Sequence, residues 1–156
     1  METVFIQTPL GIAKIEGNEN GISVVSVTQE GELSSKIPKN LKQAVTQLNE
    51  YFEGKRKEFT FLINPQGTEF QQKVWQELLH IPFGKTMSYL DLSKKIGDVK
   101  AIRAVASANG KNPLWIVVPC HRIIGTDGSL TGYAGGLWRK KWLLEHENPI
   151  KQQSLF

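Results

Sequence analysis

Apolar and polar residues change rhythm twice along this chain. Thr3–Thr8, Ile12–Glu16 and Ile22–Val27 are short runs rich in β-branched and aromatic residues. They break at Pro9-Leu10-Gly11 and at Gly17-Asn18-Glu19-Asn20-Gly21, which predicts a three-stranded meander. Leu41, Val45, Leu48 and Phe52 then recur at helical spacing and predict an amphipathic helix over roughly 38–53. Phe59–Ile63 reads as a final strand, and Asn64-Pro65-Gln66-Gly67 carries the turn residues of a linker. From Thr68 the period becomes helical. Thr68 and Gln71 form a capping box ahead of a stripe of Phe70, Val74, Trp75, Leu78 and Leu79, and Ile81-Pro82-Phe83-Gly84 ends that helix. Ser88 and Asp91 open the next helix, which carries Leu92 and Ile96 inward and closes at Gly97.

Asp98 caps a further helix from Val99 to about Asn109, on which Ile102, Val105 and Ala106 face the core. Two short helices joined by a tight Gly-Asp turn predict a helix-turn-helix. Leu114-Trp115-Ile116-Val117-Val118 is a short apolar run that predicts a buried strand. Leu137–Glu147 predicts the last helix, with Trp138 and Trp142 assigned to the core. The expected fold is α+β: a small N-terminal mixed sheet-plus-helix domain over 1–63, a linker at 64–67, and a mainly helical domain over 68–150. That second domain holds the helix-turn-helix and a short active-site strand, and residues 151–156 form a tail. Nothing in the first 63 residues looks catalytic.

Composition narrows the picture only modestly. The 156 residues, 40% hydrophobic and 22% charged, fit an ordinary soluble globular protein. The formal charge of +4 permits an anionic partner without requiring one. No signal peptide or membrane-spanning run is evident, so a cytoplasmic protein is expected. A single cysteine forbids an intrachain disulfide and rules out a thiolate-rich metal site.

That cysteine lies in Pro119-Cys120-His121-Arg122. A free cysteine is usually buried and inert. Here its neighbours are ionisable, and it follows an apolar run where an element gives way to a turn. A thiol acts as a nucleophile through its thiolate, which needs a positive field or a base, and His121 and Arg122 are candidates for either. Lys100, Arg103, Ser107 and Lys111 lie on or near one side of the second helix of the pair, interleaved with Ala101, Ala104 and Ala108. Such a helix can approach a polyanion closely, although a basic face is also an ordinary solvated surface.

Pro119-Cys120-His121-Arg122 resembles the active-site motif of the O6-alkylguanine-DNA alkyltransferases. So do Ser88-Tyr89, Arg103-Ala104-Val105, Asn109-Gly110-Lys111-Asn112-Pro113 and Tyr133-Ala134-Gly135-Gly136-Leu137, in matching order and spacing. The resemblance covers about Thr68–Glu147 strongly and the first 63 residues loosely. It implies that Cys120 accepts the alkyl group and that His121 is the base, acting through a water, with Glu147 orienting the imidazole. Tyr89 would push the target nucleotide out and bond guanine N3, and Arg103 would fill the gap. Lys100, Ala104, Ser107 and Lys111 would accompany Arg103 in the minor groove. Asn112 would brace the turn before the active-site segment. The carbonyls of Cys120 and Ile123 would accept from the exocyclic amine, and the Ala134 amide would donate to O6. Tyr133 and Gly135 would line the alkyl pocket. Trp115 departs from the family pattern, occupying a site near the pocket where a smaller residue can stand, and is expected to limit bulky adducts such as benzyl.

The same resemblance implies a single-use protein, a monomer whose partner is duplex DNA containing O6-alkylguanine. O4-alkylthymine is left open as a second substrate. No cofactor and no metal are expected, because the N-terminal cysteines that bind a structural zinc in some relatives are missing. Three other readings compete. A lesion sensor would lack the acceptor cysteine. A transcription regulator leaves the Cys-His-Arg turn unexplained. A thiol peptidase rarely draws its dyad from adjacent residues.

Overall fold

The computed structural model describes residues 1–130, 133 and 135–148. They fall into two compact units, one of residues 1–66 with 113–117, the other of 67–112 with the chain from 118 onward. The segment Pro113–Val117 therefore packs with the N-terminal unit, although only Val118 separates it from Pro119 and Cys120.

In the first unit, β1 (Glu2–Thr8), β2 (Gly11–Asn18) and β3 (Gly21–Thr28) form an antiparallel meander in that order. The register pairs Thr8 with Gly11 and Asn18 with Gly21, so the expected breakers make tight turns. A 3-10 turn at Lys39–Leu41 leads into α1 (Lys42–Phe52). Its buried positions Ala44, Val45, Leu48 and Tyr51 join Val4, Ile15, Val25 and Leu41 in the core. Tyr51 is fully buried where the sequence pattern pointed to Phe52, which is only half-buried.

Phe59–Ile63 is not a strand. Its only ladder contact is a single bridge from Ile63 to Ile22 on the edge of β3. The cause lies in Gln47, a buried amide on α1. It accepts from the Thr60 N–H at 2.8 Å and donates to the Thr60 hydroxyl at 2.7 Å. A side chain has taken the donor that a strand would have used.

In the second unit, α2 (Glu69–Leu78) begins at the expected capping box. The Gln71 N–H donates to Thr68 Oγ1, and the Thr68 N–H to Gln71 Oε1. Val74, Trp75 and Leu78 are buried, while Leu79 is exposed. β4 (Met87–Ser88) leads into α3 (Tyr89–Ile96), whose first turn is capped by Ser88, with Gly97 left-handed after it at φ 100°. Asp98 caps a 3-10 turn, Val99–Ala101, that runs into α4 (Ile102–Gly110).

The face of α4 turned inward carries Val105, Ala108 and Asn109; Ala106 is exposed, not core as expected. Residues 105, 108 and 109 share one helical face, and 106 lies about a third of a turn away. The indole of Trp75 donates to the Ala108 carbonyl at 2.9 Å, tying α2 to α4. Ala108 is thus a packing residue, while Ala104 is exposed beside Arg103. The last elements are β5 (Ile123–Ile124), parallel to β4, and α5 (Leu137–His146).

Trp138 and Trp142 are not core residues. Trp138 is 52% exposed, with the Arg139 guanidinium over its ring, and Trp142 is half-buried and stacked on His146. The buried positions of α5 are Lys140 and Leu143. Among the described residues no helix is long and apolar enough to cross a membrane.

Candidate active site

The run Leu114–Val118 is buried as expected but is not a strand. It makes one bridge, from Leu114 to Val25. Ile116 then adopts φ 70°, and the Val117 N–H turns back to the Trp115 carbonyl at 2.8 Å. A left-handed three-residue turn is strained for a β-branched residue. A second three-residue turn follows. Pro119 at φ −81° and ψ 63° lets the Cys120 N–H reach the Val118 carbonyl at 2.8 Å. Cys120–Arg122 is a single 3-10 turn, and the Ile123 N–H caps the Cys120 carbonyl. The strand next to the cysteine, β5, follows it rather than precedes it. Asn112 supports the turn: its amide donates to the Val118 carbonyl at 2.7 Å, and its side chain also bonds the Cys120 thiol.

Cys120 is buried, 7% exposed. Burial pushes its thiol up, and this outweighs the opposing help from Asn112, the Lys140 charge and the Tyr133 hydroxyl. The resting group is a thiol, so nucleophilicity requires a base. Iodoacetamide is expected to modify Cys120 slowly at neutral pH in the native protein, with a rate that climbs above the ordinary thiol range. A neutral-pH rate equal to that of free cysteine would contradict this.

His121 is fully buried. Its Nε2 lies 2.8 Å from Glu147 Oε2, while Nδ1 has no hydrogen-bond partner among the described residues. A carboxylate can only accept, so it fixes the tautomer with the proton on Nε2 and leaves Nδ1 as the lone-pair nitrogen. Burial pushes the imidazole down. Glu147 partly offsets this, and Arg122 and Lys140 add to the lowering. For Glu147 itself, 2% exposed, burial opposes ionisation, but hydrogen bonds and charge from His121 and Arg122 hold the carboxyl well below its usual range.

Two residues differ from the sequence reading: Arg122, a candidate there for the field on the thiol, and Lys140, which it passed over. Arg122 reaches away from the thiol. Its Nε donates to Glu147 Oε1 at 2.8 Å, Nη2 to Oε2 at 3.0 Å and Nη1 to the Ile81 carbonyl at 2.6 Å. The cation whose field acts on Cys120 is instead Lys140, fully buried on α5, with Nζ 6.0 Å over the Tyr89 ring. One signal was available for Lys140. Positions 140, 143 and 147 share a helical face, so a lysine stood on the stripe that carries Leu143 and Glu147.

The remaining predicted site residues divide. Tyr89 opens α3, half-buried, and Ile123 is fully buried in β5. Tyr133 lies against Gly135, where an added Cβ would sit 3.0 Å from the ring, and the Gly135 carbonyl accepts from Arg139. Lys100, Arg103, Ala104, Ser107 and Lys111 are all exposed along α4 and its two ends. Trp115 is 6% exposed and packs in the first unit, its ring 6.1 Å from that of Phe52. Ala134 and the tail 151–156 lie outside the described residues.

The family described as 6-O-methylguanine DNA methyltransferase, DNA binding domain, matches residues 69–149, and its ribonuclease-like domain matches residues 2–65. Relatives named methylated-DNA–protein-cysteine methyltransferase include one from Methanosarcina barkeri, 42% identical and covering 91% of this chain and 94% of that one. Another, from Mycobacterium tuberculosis, is 43% identical over 91% and 89%. Among solved structures, M. tuberculosis O6-methylguanine methyltransferase superposes with a TM-score of 0.84 at 39% identity, covering 99% of both chains. The M. tuberculosis protein in complex with DNA gives 0.84 at 40% identity over 97% and 98%.

Proposed function

The chain belongs to the 6-O-methylguanine DNA methyltransferase family, and from that premise we propose that it repairs DNA by moving the alkyl group of O6-alkylguanine onto its own Cys120. The observation that carries this reading is the buried Cys120-His121-Glu147 group. It places a thiol that needs a base next in sequence to an imidazole whose free nitrogen is Nδ1.

The chemistry balances within these residues. His121 Nδ1 takes the thiol proton through a water, and the thiolate attacks the alkyl carbon in line. The S–C bond forms as the O6–C bond breaks, and guanine leaves with the electron pair. The Tyr89 hydroxyl offsets charge growing on the purine and can give it a proton. Over the whole reaction one proton passes from thiol to guanine. A thioether is stable, and no second thiol exists in the chain to clear it, so each molecule acts once.

The alkyl carbon is hidden in a duplex, so the nucleotide must be turned out of the stack, at a cost of about a few kcal/mol. The exposed basic and small residues of α4 support contact along the backbone without sequence readout. Arg103 is the residue to hold the gap. Arg103→Ala is expected to slow repair in duplex DNA about tenfold or more while barely changing reaction with a free modified base; equal effects on both would remove it from flipping.

The deciding experiment is mass spectrometry of the intact protein after incubation with methylated duplex DNA. One methylene-sized gain on Cys120 per lesion removed supports transfer. Unmodified protein with the lesion intact means a sensor, and unmodified protein with the lesion gone means turnover chemistry; either overturns the proposal.

A further inference from the structure

Arg122 is a buried cation whose N–H groups are directed elsewhere than the thiol. Its Nε and Nη2 take both oxygens of Glu147, and Nη1 is anchored on the Ile81 carbonyl. Its guanidinium carbon stands 5.9 Å from the centre of the Phe83 ring. It thus ties the Cys-His-Arg turn to the end of α5 and to the loop after α2. Structural bracing alone would suffice to explain such a hub. Its charge, however, falls on the one carboxylate that also holds His121.

We propose that Arg122 is a positioning residue for alkyl transfer: by occupying both oxygens of Glu147, it lets that carboxylate orient His121 without drawing a resting proton onto the imidazole. This deepens the reading of His121 as the base and rests on it. A buried imidazole bonded to a lone carboxylate tends to become an ion pair, with a solvent proton on the ring. A ring already protonated cannot accept the proton of Cys120. The bidentate Arg122–Glu147 pair is neutral as a unit and removes that incentive.

The charge count around the ring makes the same point. Among the described residues, the charged groups acting on His121 are Lys140 on α5, Glu147 just after it and Arg122 in its own turn, with the Cys120 thiol next to it in sequence. Lys85, exposed, lines a cavity that Glu147 also lines. A proton arriving from solvent would set His121, Arg122 and Lys140 against one carboxylate. A proton arriving from Cys120 leaves a thiolate behind, so the net charge of the group does not change. The arrangement resists the first transfer and permits the second.

The test is the pH dependence of single-turnover methyl transfer from O6-methylguanine duplex DNA, read with an NMR titration of the His121 ring. Transfer in the unaltered protein should fall only at acid pH, below the ordinary histidine range. In Arg122→Gln the acid limb and the ring titration should both move up, by about one to three pH units. Neutral-pH transfer should drop about tenfold or more and recover on the alkaline side. Arg122→Lys, which keeps the charge but loses the fork, should shift less, and it serves if the glutamine variant does not fold. In the double variant Arg122→Gln/Glu147→Gln the ring titration should return to acid pH, because the carboxylate that would draw the proton is gone.

An acid limb that stays in place in both single variants, with transfer lowered equally at every pH, would make Arg122 a brace only. An upward shift that persists in the double variant would also overturn the proposal. If the unaltered protein transfers no methyl group at all, it is the function proposed above that fails; the ring titration still reports on Arg122.

Discussion

Protein carrying Cys120→Ser is expected to bind duplex DNA containing O6-methylguanine and to leave the methyl group in place. Serine is close to cysteine in size, and its hydroxyl can keep the Asn112 contact, so the turn should survive with a stability change of about 1 kcal/mol or less. The chemistry should not survive. A hydroxyl is a far weaker acid than a thiol, and His121, itself held low by burial, cannot strip it. A loss of at least ~10³-fold in transfer corresponds to about 4 kcal/mol of barrier. Single-turnover assays beside a gel-shift titration separate the two properties. Transfer at a rate near that of the unaltered protein would remove Cys120 from the role of acceptor.

The second large effect should come from Glu147→Gln, and it should appear first in stability. The substitution leaves the Arg122 guanidinium buried against a neutral amide, and breaking a buried pair in this way costs about 3–5 kcal/mol. The sign of the pH dependence is also fixed. Glu147 titrates below its ordinary value of 4.5, so its contribution is present above that pH and is lost as the pH falls. His121 titrates below 6.5, so a native state with neutral imidazole is favoured above that pH and weakened below it. Both groups make the protein acid-labile, and the glutamine variant should lose part of that sensitivity. Urea melts across the acid range would read both effects. A variant within about 1 kcal/mol of the parent at neutral pH would show that the pair contributes little.

Most helices were legible because their signals are local. The Thr68–Gln71 box, the Ser88 and Asp98 caps and the glycine at 97 each settle a boundary within a turn of their own position. The two missed strands failed for non-local reasons. Phe59–Ile63 has strand composition, but a glutamine on α1 takes the Thr60 amide. Leu114–Val118 has it too, but Ile116 turns left-handed and the chain folds back. Neither competitor lies inside the window that propensity reads.

That Cys120, His121 and Glu147 belong together was legible, since the first two sit in a compact motif and the third at a helix end. Arg122 was visible as a residue but not in its direction, because only the fold brings Glu147 within its reach. Lys140 was passed over because lysine is almost never fully buried. Trp138 was misplaced for the converse reason: its ring is covered partly by an arginine rather than by the core.

The sulfur of Cys120 is enclosed by packed side chains and rests protonated. For a catalyst that regenerates, such insulation would only slow the work. For a molecule that is consumed by its one reaction, as proposed here, it has a different value. Peroxides and stray electrophiles in the surrounding medium meet a largely buried thiol rather than an exposed, reactive anion. The supply of unspent molecules should therefore track lesions met rather than oxidants encountered.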